Sequence, residues 1–213
     1  MGISSEKKSQ IDNDSTPVSI VKSVRTALTE DGEECVVIKG TMGNTGDFSH
    51  MVADDDLMKP ASELKPGDLI RFETDGKHNY ISRLIKIFDV GDLKWHKAEN
   101  PLTTNASSYD TKLHAVHGRV VSKLDDGAYI VVAPYIYSLD SSGNVVKGDI
   151  ETDETKYYTY PTAKFRVYKF NSEEEKVTNA DAYDVISIEE SGIGSEVVAY
   201  TRTSNAISLY IFE

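Results

Sequence analysis

The chain has 213 residues, 39% of them hydrophobic and 27% charged, and its 23 basic and 35 acidic side chains leave a formal net charge of −12. That apolar fraction can build a real core at this length, which excludes global disorder and suits one large domain or two of about 100 residues each. The apolar runs fall far short of the roughly 18 residues needed to span a bilayer, and a negative surface repels phosphate backbones. The lone Cys35 excludes an intrachain disulfide and a cysteine-built zinc cage.

Residues 1–16 carry Ile3 and Ile11 as their only apolar side chains besides Met1. They are expected to form a flexible leader, since so little burial cannot offset the entropy of ordering. Lys7 and Lys8 are followed by no apolar stretch, so this is not a secretory signal, and Glu6 stands where a myristoylation pattern after Gly2 wants Ser or Thr. From Pro17 onward, short β-branched or aromatic runs alternate with turn dipeptides. Asp31-Gly32, Asp75-Gly76, Asp126-Gly127 and Ser142-Gly143-Asn144 each lie between such runs and predict hairpins, because these residues accept the positive φ of tight turns. The best helical candidate is one turn at Pro60–Leu64. Pro66-Gly67 predicts a tight turn, with Asp68 capping it and Asp184 doing the same later.

The expected fold is therefore all-β, as two related small β-barrel or sandwich units: a first domain over 17–90, a polar connector over 91–111 and a second domain over 112–213. Val24–Val37 resembles Val120–Val131. Asp68-Leu69-Ile70-x-Phe72 resembles Asp184-Val185-Ile186-x-Ile188, and Ile81–Phe88 resembles Ile207–Phe212 as a closing strand. Insertions in the second copy are expected near Ser138–Thr155 and Ser191–Ser195, and Ile207, Leu209 and Ile211 should face inward together.

Candidate chemistry is sparse. His114 and His117 on one strand point to opposite faces, so one metal cannot take both, and His50, His78 and His96 are scattered. Asp54-Asp55-Asp56 and Glu173-Glu174-Glu175 are contiguous, unlike alternating calcium ligands, and read as solvated loops, as does Asp140–Asn144. Cys35 sits in an apolar strand as a buried small residue, and Gly192-x-Gly194 precedes a strand and not a phosphate-cradling helix. No catalytic residue, cofactor or metal site is expected. The aromatics offer the one ligand-contact set: Tyr157, Tyr158 and Tyr160, joined by Trp95, could form a sugar-binding platform, against the plainer reading of tyrosines half-buried on strands.

The run Ala61-x-x-Leu64-x-x-Gly67-Asp68-x-Ile70, the Asp-Gly turn and Ile81-x-x-Leu84-x-x-Ile87-Phe88-Asp89 together resemble a unit of clostridial (Firmicutes) cell-surface proteins that carry S-layer homology repeats. Val116–Lys123 and Ala163–Phe170 extend the likeness into the second half, as part of the tandem β-domain region near such proteins' C-termini. The resemblance implies a non-catalytic structural or adhesive module of a longer exported protein, extracellular, with other protein subunits or cell-envelope components as partners. Two other readings fit the residues: a bacteriophage virion protein of tail, neck or decoration type, and a carbohydrate-binding module whose partner is a glycan. Nucleic acid and direct membrane insertion are not expected.

Overall fold

The computed structural model describes residues 18–43, 46–96, 113–202 and 205–213. The first half forms β1 (Ser19–Leu28), β2 (Glu34–Met42), β3 (Gly46–Val52), α1 (Asp55–Ser62), β4 (Leu69–Thr74), β5 (Ile81–Asp89) and β6 (Lys94–Trp95). The second forms β7 (Leu113–Leu124), β8 (Tyr129–Leu139), β9 (Val145–Ile150), β10 (Tyr158–Pro161), β11 (Arg166–Asn171) and β12 (Lys176–Ala180). It ends with α2 (Ile188–Ser191), β13 (Glu196–Arg202) and β14 (Asn205–Phe212). The all-β class holds. The sheets are not closed barrels: one is six-stranded, in the order β3-β2-β1-β4-β5-β6, and the other runs β10-β8-β7-β13-β14-β11-β12, with β9 added to β8.

The turn chemistry explains the hairpins. Gly32 (φ 83°), Gly127 (φ 87°) and Gly143 (φ 81°) take left-handed conformations at three of the four expected turns. At the fourth, Asn79 (φ 58°) takes that role in place of Gly76, while Asp75 Oδ1 accepts from the backbone N–H groups of His78 and Tyr80. Asp68 and Asp184 cap turns as expected: Asp68 accepts from Lys65 and Val90 N–H, and Asp184 from Asp181 N–H.

Three expectations need correction. Asp54 is the N-cap of α1, its side chain accepting from Asp56 N–H at 3.0 Å, so the acidic run opens an eight-residue helix and is not a loop. Lys94–Trp95 pair with β5 as β6, so the first sheet extends into the expected connector. Residues 97–112 and the leader 1–16 lie outside the described residues. Finally, Asp184-Val185-Ile186 does not match Asp68-Leu69-Ile70, for Leu69 and Ile70 enter β4 whereas Asp184 ends a 3-10 turn and Ile188 starts α2.

In the second sheet it is β13, not Val185–Ile188, that lies beside β7, as β4 lies beside β1 in the first. In the orders β3-β2-β1-β4-β5 and β10-β8-β7-β13-β14, every neighbouring pair is antiparallel. The first central strand bulges after Val21 in one sheet and after Val120 in the other. Val21 N–H donates to Asp68 O at 2.9 Å, and Val120 N–H to Ser195 O at 3.0 Å. Gly67 (φ 92°) and Gly194 (φ 70°) precede those two carbonyl residues, in the left-handed region that a side chain would strain. β9 lies inside the expected insertion at 138–155, while the β11–β12 hairpin, which reaches β14 through a parallel pairing, was not foreseen.

Each sheet is buried on both faces. Val21, Ile38, Phe48, Ile70 and Phe72 pack under α1 on the outer face of the first sheet. Val120, Ile130, Val197, Leu209 and Ile211 pack on the outer face of the second. Between the sheets lies a shared core in which Ile20, Leu69, Phe88 and Trp95 meet Tyr168, Phe170, Tyr200, Tyr210 and Phe212. Leu209 and Ile211 are buried together on one face as expected, but that face is the outer one; Tyr210 and Phe212 fill the face between the sheets, and the Ile207 side chain lies outside the described residues. Tyr210 donates to Val18 O across the layer at 3.1 Å.

Candidate functional site

Among the described residues, a dense group of ionisable side chains sits at one margin of the shared core. β7 and β13 run antiparallel with Arg119 opposite Glu196, and strand alternation turns His117, Arg119 and Glu196 toward the first sheet. The β8–β9 ribbon folds over them with Tyr135, Tyr137 and Lys147. Glu196 is the hub: one carboxylate oxygen accepts from His117 Nε2 (2.8 Å) and Lys147 Nζ (2.7 Å), the other from Arg119 (3.0 Å) and the Tyr135 hydroxyl (3.2 Å). A carboxylate only accepts, so His117 Nε2 carries the proton and Nδ1 accepts from Tyr137 O–H at 2.6 Å.

The electrostatics follow from burial. Burial, against the pull of Glu196, lowers the His117 pKa to about 4 and leaves the ring neutral near pH 7. Burial opposes ionisation of Glu196 too, but its bonds to His117 and Lys147 win and bring it to about 2. Tyr135 is pushed up to about 12 by burial, with the Glu196 charge adding to the effect. The charges are thus one carboxylate, Lys147 and Arg119, with both cations partly exposed. The first half closes the cluster: Lys147 Nζ donates to Leu93 O at 2.9 Å, the Trp95 backbone N–H binds the Tyr137 hydroxyl, and the Phe88 ring meets His117 edge-on at 4.8 Å between centroids. Every polar group here has a partner, so the arrangement fixes the two sheets against one another.

The expected ligand-contact aromatics do not form one platform. Trp95 is 2% exposed, inside the shared core, and cannot stack on a ligand. Tyr158 and Tyr160 are half-buried and stacked with centroids 6.1 Å apart; they pack against the second sheet's outer core, where burial raises the Tyr160 pKa. Tyr157 is half-buried beside them in sequence but has no ring contact among the described residues. The plainer reading of Tyr158 and Tyr160, as strand tyrosines, describes their packing. Cys35 is fully buried in β2 as expected. Gly192 ends α2 in a left-handed conformation, and Asp140 accepts from Ser142 and Asn144 within its own turn. Glu173 and Glu174 cap onto Asn171 through their backbone N–H groups. His117 joins the buried cluster, while the His114 side chain lies outside the described residues. Among the described residues, no group of three or more His, Cys, Asp or Glu is placed to hold a metal ion.

A groove of about 800 Å³ opens elsewhere on the surface, where the β2–β3 region of the first half meets the second half. Its walls include Asp125 and Asp126 from the β7–β8 turn, Phe165 and Arg166 before and at the start of β11, Asn179 in β12, and Tyr183. Tyr183 is 83% exposed, far more than a tyrosine needs for packing. Neither Tyr183 nor the groove was foreseen, because the contributing segments lie far apart in sequence.

No family model matches the chain, and no curated protein matches it.

Proposed function

We propose that the chain is a non-catalytic structural module of a bacterial cell-surface assembly, built as two copies of one β-unit and working through other protein subunits or envelope components. The observation that supports this reading best is the strand-by-strand correspondence of β3-β2-β1-β4-β5 with β10-β8-β7-β13-β14, including the bulges after Val21 and Val120. Duplication followed by face-to-face packing is an economical way to make a stiff spacer. The use of the richest titratable cluster to hold the sheets together also fits a load-carrying role, since Glu196 has its acceptor sites committed to internal donors. The acidic surface, at net charge −12, favours solubility and discourages association with nucleic acid.

The test is localisation in the native cell. Antiserum against this chain should label intact cells and recover a longer polypeptide from the envelope fraction. Recovery only in purified phage particles would replace this reading with the virion one, and a purely cytoplasmic signal would remove both.

A further inference from the structure

We propose that the groove between the β7–β8 turn and the Ala182–Asp184 turn is a binding site for a neutral hexose polymer. This goes beyond the structural role and does not depend on it. Sugar rings are recognised by two kinds of group together: an aromatic face for the C–H side of the ring and planar polar groups for adjacent hydroxyls. The groove offers both. Tyr183 stands at its rim with 83% of its surface exposed, and Phe165 lies in the wall. The Asp125, Asp126 and Asn179 side chains line the same space, exposed, with no hydrogen bond or ion pair to protein among the described residues. Carboxylates and amides can each bind two neighbouring hydroxyls, and charged acceptors make the stronger bonds.

The same residues restrict the ligand. Asp125, Asp126 and Asp181 line the groove with Arg166 as the one basic side chain in its wall, while Asp47 is paired with Lys22 at 2.8 Å, so uronic acids and other anionic sugars are repelled. The volume of about 800 Å³ is within the range of small-ligand clefts, and the groove is partly open to solvent, so a bound sugar has room to continue as a chain. The β7–β8 turn is held in shape from within. Ala128 N–H donates to Asp125 O at 3.0 Å, and Thr162 Oγ1 donates to Gly127 O at 2.7 Å, so the Asp125 and Asp126 backbones are fixed before any ligand arrives.

The experiment is affinity gel electrophoresis of the full chain in gels containing β-glucan, mannan, galactan or polygalacturonate. Retardation by at least one neutral polymer and none by polygalacturonate is the expected result. Tyr183→Ala should weaken that retardation about tenfold, the size of one lost aromatic contact. Asp126→Asn, which keeps a residue tolerant of the left-handed backbone, should weaken it without unfolding the chain, as a thermal melt would verify. Tyr157→Ala should leave it unchanged. The proposal is overturned if no neutral polymer retards the chain, or if retardation survives both groove substitutions. It is also overturned if oligolysine binds while neutral polymers do not, which would make the groove only an acidic patch.

Discussion

Glu196 shows how much one residue can hold. Its carboxylate collects four donors from three strands, and its low pKa and that of His117 have the same consequence for stability. Both groups bind protons less readily folded than unfolded, so stability is full above the unfolded values and declines as pH falls through the folded ones. His117 therefore begins to cost stability below about pH 6.5 and does so down to about 4, and Glu196 continues the loss from about 4.5 to 2. The urea midpoint should be flat from pH 8 to 7, fall below pH 6.5 and fall further below 4.5. A midpoint unchanged between pH 7 and 4 would show that the cluster is not buried as described. His117 was visible in the sequence only as half of an H-x-x-H pair. Glu196 had no signal at all, because its partners come from positions 49 to 79 residues away.

At the level of elements, turns carry the design. The Asp-Gly and Ser-Gly-Asn signals marked real hairpins because their chemistry is local: φ preference and side-chain-to-backbone bonds act within four or five residues. α1 differs for another reason: the expected turn at Pro60–Leu64 overlaps only its end, whereas the N-cap Asp54 and the acidic first turn define its start. Gly67 is the sharpest element-level test. It sits at φ 92°, and a Cβ there would meet the Phe170 ring and Val90 at 2.7 Å. Gly67→Ala combines left-handed strain with a clash between the two sheets, and should cost about 2–4 kcal/mol of stability by urea denaturation. Gly143→Ala, at a hairpin tip with nothing within 4 Å, should cost only the backbone strain, about 1 kcal/mol. Equal losses at the two sites would show that Gly67 does not touch the second sheet.

The whole molecule is joined through its shared core. Phe88 of the first half is fully buried among Trp95, His117 and Phe212, the last two from the second half. A core drawn from both sheets couples their unfolding, so one calorimetric transition is expected. Phe88→Ala should lower its midpoint as a single peak, at a cost of about 3–5 kcal/mol. Two resolved peaks, with only the first-half peak shifted, would mean that the halves are independent despite their contact.

The sequence by itself determined the all-β class, the positions of four hairpins, the capping roles of Asp68 and Asp184 and the burial of Cys35. All of these follow from period-two patterning and from bonds made within a few residues. Tertiary structure decided the rest. Strand alternation could say that Leu209 and Ile211 share a face, but not that Tyr210 and Phe212 would be buried on the other, because that depends on a second sheet being packed there. The same packing took Trp95 out of the ligand-contact set and placed it in the core. It also set β13 beside β7, where sequence likeness points to Val185–Ile188. Pairing between strands is fixed by hydrogen-bond register across the chain, and short aliphatic runs are too alike to reveal which partner they will meet.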